Sequence, residues 1–419
     1  MLKDLKILHV CNTRKGGAGR AAWMLHDSMS KQGFNSVFFS TDNLEFENSK
    51  DENCRILRSP LPESILDRLM RKLKILLLYR KNDRKLRQLE KEYNLIKECI
   101  DCEYAGLPRG FVNLHLIPEF KEANVIILHW INECINLNHF FIDFKDTPIV
   151  WILHDMNPFQ GLYHYKNDEI KNFSVSSEID RKVFELKKNI INKKKRKFAI
   201  VTPSSWLAIE AKLSGFYRNT PISVIANCVD TNVFTIKNKE LIRNRFGLSN
   251  EDNIILFISE SLNNPRKGFE LILDSLKYIN KNIKIISIGT QNVKLNNTEN
   301  INFIGKIDNN DLLCDYFNAS DVFILPSRED NLPNVMLESL ASGCPVIGFS
   351  VGGIKDHIKH GSTGLVVDKI DAERLAKAIS YFFKTKDEYN AYNIRNYALE
   401  HFNSIKQVNS YISLIEQIL

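Results

Sequence analysis

Val322-Phe323-Ile324-Leu325, then Pro326-Ser327-Arg328-Glu329-Asp330-Asn331-Leu332-Pro333-Asn334, then Val335-Met336-Leu337-Glu338-Ser339-Leu340-Ala341-Ser342-Gly343, then Cys344-Pro345-Val346-Ile347: this stretch decides the fold. Its first run is apolar throughout, as in a strand buried on both faces. Proline before the helical stretch and glycine just past it are the punctuation of a helix from about Val335 to Ser342. A strand, loop and helix in that order put the helix N-terminus at the carboxyl edge of a parallel sheet. Unbonded backbone N–H groups and the helix dipole favour a phosphate there. Glu338, one turn into the helix, can face the same crevice and offer its carboxylate to ribose hydroxyls.

Outward from this segment the pattern repeats. Short β-branched runs alternate with amphipathic stretches at Lys6–Val10, 36–39, 125–129, 149–154 and Phe198–Thr202, and again at 222–225, 254–259, 283–288, 301–304, Val322–Leu325, 345–348 and Gly364–Val367. Repeated βα alternation means doubly wound parallel sheets. A chain of 419 residues exceeds the size at which one core keeps growing, so two domains are expected. The turn-like Asn227-Cys228-Val229-Asp230 and the polar stretch after Phe234 place the linker. The expected layout is a first Rossmann-like domain over 1–235, a second over 236–387, and C-terminal helices over 388–419 that cross back to the first. One region, 62–102, breaks the alternation with leucines among lysines and arginines. It reads as basic amphipathic helices, either a solvated hairpin packed on the first domain or a surface that meets a membrane.

The bulk numbers exclude several classes. A formal charge of +7 with 26% charged residues is mildly basic, which suits an acidic ligand better than a dedicated nucleic-acid binder. The Lys187–Lys197 run lacks interleaved aromatics and reads as a solvated helix face. No window approaches a membrane span and the start has no signal-peptide pattern, so a cytoplasmic protein is expected, with the inner membrane face as a further setting. The eight cysteines are scattered, and the lone Cys99/Cys102 pair lacks the four ligands of a zinc site. There is no DxD triplet or His/Asp cluster at metal-ligand spacing, so neither metal nor cofactor is expected.

The segment from Asp330 to Glu338, seven residues between the two acids, followed by Ser339–Ile347, resembles the E-x7-E element of retaining GT-B glycosyltransferases of the group 1 type, in their bacterial polysaccharide branch. Gly352-Gly353-Ile354 with His360–Val366, Thr202–Leu207, Val224–Asp230, and His154-Asp155-Met156 with Pro158-Phe159 and His164-Tyr165 resemble further segments in the same order. The resemblance covers most of the chain. It implies two Rossmann-like domains facing across a cleft that holds a nucleotide-diphosphate sugar. The implied reaction is metal-independent transfer of the sugar, with retained configuration, to a hydroxyl of a glycan or lipid-linked acceptor. The sequence departs from the pattern in having Asp330 where the first acid is usually Glu, with Glu329 beside it, and Ser261 where an arginine is usual.

The residues expected to act follow. Arg266 and Lys267, at the end of a strand, are placed to take the charge of a leaving diphosphate. Asp330 or Glu329, with the loop Asn331-Leu332-Pro333-Asn334, would hold the donor sugar, and Glu338 the ribose. Gly16, Gly17 and Gly19 let the backbone approach a bound group. Gly17–Ala22 also fits the dinucleotide fingerprint GxGxxA with Asp42 beyond, but Cys11–Lys15 separate it from the strand, which argues against NAD. His154 would touch the donor sugar or assist acceptor deprotonation, with His129 a weaker candidate. The alternatives are a nucleotide-sugar epimerase or hydrolase on the same fold, or an inactive nucleotide-binding partner subunit.

Overall fold

Apolar residues alternate between two core faces along nearly every strand, because each sheet is covered on both sides. The structure, a computed structural model, describes residues 3–41, 54–56, 80–112, 114, 117–192, 197–279, 282–291 and 300–419. Residues 62–79 of the basic insertion, 193–196 of the lysine run and Asp42 of the dinucleotide fingerprint lie outside the described residues. Two compact units form: Met1–Ile225 with Val408–Leu419, and Ala226–Gln407.

The first unit holds β1 (Ile7–Val10), β2 (Ser36–Ser40), β3 (Cys54–Ile56), β4 (Val125–Leu128), β5 (Ile149–Ile152), β6 (Phe198–Thr202) and β7 (Ile222–Val224). Their order is β3-β2-β1-β4-β5-β6-β7, every pairing parallel. Leu8, Val10, Ile126, Leu128 and Trp151 enter one core, and their strand neighbours Ile7, Val125, Ile127, Val150 and Ile152 the other. The second unit holds β8 (Asn253–Ser261), β9 (Ile283–Thr290), β10 (Ile301–Gly305), β11 (Val322–Leu325), β12 (Val346–Phe349) and β13 (Gly364–Val367). Their order is β10-β9-β8-β11-β12-β13, again parallel. In each sheet the order reverses once, between β1 and β4 in the first and between β8 and β11 in the second. Such switch points open a crevice at the carboxyl ends of the strands.

The unit boundary falls ten residues before the expected one, for a packing reason. Val229 and Phe234 bury their side chains in a core of the second unit, as do Ile394, Ala398 and Phe402. Residues 388–407 therefore belong to the second unit. Val408, Tyr411, Leu414 and Ile415 join Ile7 and Val125 in the first. The described part of the basic insertion forms the helix Arg80–Ile96. It buries Leu86 and Leu89 and bonds to the helix Phe173–Ile191 through Lys182 and Glu92, 3.0 Å apart.

The lower ends of β8 and β11 are fixed by a buried charge pair. Arg243 donates from Nε to the Ala319 carbonyl at 2.8 Å and from its NH1 nitrogen to those of Ser249, Asn250 and Asp252 at 2.9–3.2 Å. Its other terminal nitrogen lies 3.1 Å from Asp321. Asp321 accepts from the Ile254 amide at 2.8 Å and donates its own amide to the Ile254 carbonyl at 2.9 Å. Lys239 Nζ lies 2.6 Å from the same carboxylate, so loss of Arg243 leaves Asp321 paired but takes a buried cationic donor from the carbonyls, at a cost of about 1.5–3 kcal/mol. Arg243→Ala is expected to lower the unfolding free energy of the second unit by an amount in that range, measured by fluorescence-detected urea unfolding beside the wild type.

Candidate functional site

In the second unit the switch point is built from two turns that grip each other. After β8 the chain makes the turn Pro265–Lys267, capped by the Asn264 side chain, which accepts from the Arg266 amide at 3.0 Å. It then leaves through Gly268 at φ +72°, where a Cβ would lie 2.2 Å from the Pro326 carbonyl oxygen. Only glycine tolerates both the left-handed backbone and that approach. The Arg328 amide donates to the Arg266 carbonyl at 2.8 Å, so the loop after β11 is sewn to the turn after β8.

The cations of the first turn meet the acid of the second. Lys267 Nζ lies 2.5 Å from Asp330 Oδ2, and the Arg266 guanidinium lies 3.5 Å from the same oxygen. Arg266 also donates to the Glu329 carbonyl at 3.0 Å. Asp330 is buried, and its second oxygen accepts from the Asn331 amide at 3.1 Å. Burial alone would raise its pKa. The charges of Lys267 and Arg266 outweigh that and hold the carboxyl below the usual carboxylate value. From the other side, the Gly353 amide donates to the Asp330 carbonyl at 3.2 Å. Gly352, at φ +53°, passes so close that a Cβ would lie 1.7 Å from that oxygen.

The helix of this segment spans Asn334–Ala341, with Pro333 as its N-cap, no side-chain cap bond and no acidic residue in the first turn. Its opening N–H groups are therefore not engaged by a capping side chain of Pro333. The Asn334 side chain accepts from Asn227 Nδ2 at 3.2 Å. Leu332 is locked into the core below, which anchors the loop, and Glu338 is buried one turn along.

In the first unit the switch point gathers a different set. The loop after β1 is held to the loop after β4, since the Asn12 amide donates to the Trp130 carbonyl at 2.7 Å and Asn12 Nδ2 to the Asn132 carbonyl at 3.0 Å. The helix Gly16–Lys31 follows, with no side-chain cap bond at Lys15. Gly16 has φ +68°, and a Cβ on Gly19 would lie 2.4 Å from the Thr13 carbonyl oxygen. Gly17 has open space around it, with nothing within 4 Å of an added Cβ. Close backbone approach thus explains Gly19, whereas Gly17 has no steric need to be glycine.

Beyond β5, Asp155 accepts from Trp130 Nε1 at 3.0 Å and pairs with His164 Nδ1 at 2.6 Å. Burial would raise the Asp155 pKa, but His164 and the Asn157 amide hold it below the ordinary range. His154 bonds His129, their ring nitrogens 3.1 Å apart. Burial takes the His154 pKa down to about 4, so the ring is neutral at pH 7. These side chains line a cavity of about 30 Å³.

Several features depart from the sequence reading. Arg266 and Lys267 do not stand as free cations awaiting a diphosphate, because Asp330 neutralises one of the two charges. The Asp330 carboxylate turns toward those cations and Ser327, whose hydroxyl is 3.4 Å away. Lys187 is not on a solvated face: it is buried, donating to the carbonyls of Gly161 at 2.6 Å and Asn157 at 2.8 Å. Burial lowers its pKa to about 7. It clamps the turn that follows Asp155, a role that a run of lysines does not advertise. Asn227 was read only as part of the linker turn, and His9 was not singled out. Their only signal was position, one beside the domain linker and the other at a strand end.

Residues 252–385 match the family described as "Glycosyl transferases group 1". That span contains β8 to β13, both gripping turns and the Asp330–Glu338 segment. The chain carries a group 1 glycosyltransferase domain on a GT-B fold. Over 213 residues it is 25% identical to the N-acetyl-alpha-D-glucosaminyl L-malate synthase of Bacillus anthracis, an alignment covering 48% of this chain and 55% of that one. The chain thus spans about half the length of this curated relative. Two solved structures share the fold over 99% of this chain at 15% identity: the sucrose-phosphate synthase of Thermosynechococcus elongatus, with 99% of its length covered and a TM-score of 0.70, and Anabaena HepE in complex with UDP, with 100% covered and a TM-score of 0.65.

Two measurements check this geometry of the group 1 domain. Gly352→Ala forces a Cβ into the Asp330 carbonyl and is expected to lower the melting midpoint well below that of Gly361→Ala. Gly361 has φ +74° but nothing within 4 Å of an added Cβ, so its alanine variant takes on only about 1–2 kcal/mol of left-handed backbone strain. Asp330, with its folded pKa depressed, stabilises the native state above the reference value of 3.8 and loses that contribution as pH falls through the lower folded value. The melting-temperature gap between wild type and Asp330→Asn is therefore expected to be full at pH 7 and to narrow as pH drops below that reference.

Proposed function

We propose that the protein transfers a sugar from a nucleotide-diphosphate sugar to a hydroxyl of a glycan or lipid-linked acceptor, with retained configuration and without a metal ion. The observation that carries this reading is that Lys267 and Arg266 meet on Asp330, four residues before the helix Asn334–Ala341 begins, at the switch point of the group 1 domain. Two cations and a helix N-terminus together suit a diphosphate. In this scheme the donor diphosphate draws Lys267 and Arg266 from Asp330 and rests against the first amides of that helix. Asp330 and the loop through Asn331 and Asn334 then hold the sugar, with Glu329 behind them, and Glu338 takes the ribose hydroxyls. In this reading His154, in the first unit, serves a substrate oxygen.

The chemistry this asks of the protein is charge stabilisation. As the bond from the anomeric carbon to the diphosphate breaks, negative charge grows on the phosphate oxygens facing Lys267 and Arg266. The acceptor oxygen bonds the same carbon on the same face, and its proton leaves with the diphosphate. The UDP bound by HepE makes UDP-sugars the first donors to test.

A thermal-shift screen of UDP-, GDP- and ADP-sugars, with each nucleotide alone as control, tests the reading. A ligand at a hundred times its Kd adds about 2.7 kcal/mol to the folded state. One base is expected to raise the melting temperature of the wild type and not of Glu338→Ala. With that donor and an acceptor, Lys267→Ala is expected to lower kcat by about 10²–10³. Donor consumption without any acceptor would favour the hydrolase or epimerase alternative. No response to any nucleotide would overturn the proposal.

A further inference from the structure

Three histidines, His9 and His129 buried and His154 half-buried, run in file across the first sheet. His9 lies on β1, His129 directly follows β4, and His154 lies two residues past β5. His9 Nδ1 is 3.0 Å from His129 Nε2, and His129 Nδ1 is 3.1 Å from His154 Nε2. The rings stack, with centroids 5.3 and 5.4 Å apart. Each nitrogen–nitrogen contact requires one proton, and a neutral imidazole carries one. Burial and the neighbouring rings keep His9 and His129 far below the usual histidine pKa, so the file is neutral.

Only two proton arrangements satisfy both contacts with neutral rings. In one, His9 and His129 donate from Nδ1, and His154 accepts at Nε2 and carries its own proton on Nδ1. In the other every proton points the opposite way, and His9 must carry a hydrogen on Nε2. That nitrogen is buried and has no hydrogen-bond partner. A stranded buried N–H is rarer in folded proteins than an under-used acceptor, so the blind end of the file selects the first arrangement. His26, edge-on to His9 at 5.7 Å, bonds the Ser36 hydroxyl through Nδ1 at 2.8 Å, and Asp155 is engaged by His164 and Trp130.

We propose that His9 and His129 are positioning residues that hold His154 as its Nδ1–H tautomer, so that His154 meets a substrate oxygen as a hydrogen-bond donor and not as a base. The Nε2 lone pair of His154 is engaged by His129, which makes Nδ1 the nitrogen that carries the proton. A donor there suits a sugar hydroxyl or ring oxygen. It does not suit proton abstraction from an acceptor, in keeping with a reaction in which the leaving diphosphate takes the proton. The inference rests on the glycosyltransferase reading for what His154 touches, but the tautomer is a property of the protein alone.

The test is a nitrogen–proton correlation spectrum of the full-length protein labelled with ¹⁵N-histidine, with the His154 signals assigned by their loss in His154→Asn. The expected pattern at pH 7 is a protonated Nδ1 and an unprotonated Nε2. A proton on Nε2, or on both nitrogens, overturns the proposal. A second arm replaces His9. In His9→Asn the amide nitrogen takes the place of the imidazole Nδ1 and can still donate to His129. In His9→Leu it cannot, and His129 is released to reverse. Asn is expected to keep the His154 pattern and the wild-type kcat/KM. Leu is expected to mix the tautomers and lower kcat/KM by about 10–100-fold, as loss of a group that orients an imidazole does elsewhere. An unchanged His154 pattern in a folded His9→Leu protein also overturns the relay. The expected spectrum in a protein that uses no nucleotide sugar supports the relay and counts against the transferase reading alone.

Discussion

The parallel pairing of β8 with β11 is the constraint on which the second unit depends. Val322 and Phe323 sit in register with Ile255 and Leu256, and both strands are sealed on both faces by apolar side chains. Neither strand can slide by one residue without turning each of those side chains into the wrong core. The Asp321 bonds to both backbone groups of Ile254 fix the same register at the lower end. What leaves the upper ends is then held in place. Lys267 is delivered after β8 and Asp330 after β11, and the close passage of Gly268 and Gly352 over neighbouring carbonyls leaves little room for either loop to shift.

The electrostatics of that point follow from the same geometry. A buried carboxylate beside two cations is charged at neutral pH, and the cluster as a whole keeps one positive charge. Such a site is held together in the empty state and still attracts an anion. Arg266 and Lys267 are distinct in this respect. Arg266 also ties the Glu329 carbonyl and so helps to shape the loop, whereas Lys267 Nζ, among the described residues, bonds Asp330. Exchange of an ammonium between a carboxylate and a phosphate requires no rearrangement of the backbone that carries it.

The first unit solves a similar problem with neutral groups. Its switch point places His9, His129 and His154 on or just after three adjacent strands, deep enough that none is protonated. Neighbouring Asp155 is ionised but is engaged by His164 and Trp130. The lysine that clamps the next turn, Lys187, sits among backbone carbonyls. Charge is therefore contained at this point, and direction comes from which nitrogen holds a proton.

Much of this was legible in the sequence because strands buried on both faces must be largely apolar, and twelve of the thirteen strands among the described residues were marked by such runs. Cys54–Ile56, only three residues long and following a polar stretch, carried no such mark. The helix from Asn334, its proline and glycine punctuation and the seven-residue spacing from Asp330 to Glu338 were equally readable, since they depend on local backbone chemistry. Gly352 and Gly353 could be seen as a motif, but not that their backbone passes over Asp330. Tertiary structure alone decided which charges meet. The pairing of Lys267 with Asp330, the burial of Lys187 and the file of three histidines each join residues brought together by strand order, which local sequence does not encode. Side-chain type and spacing set what each segment can form. Partners far apart in the chain are chosen only when the sheet brings those segments side by side.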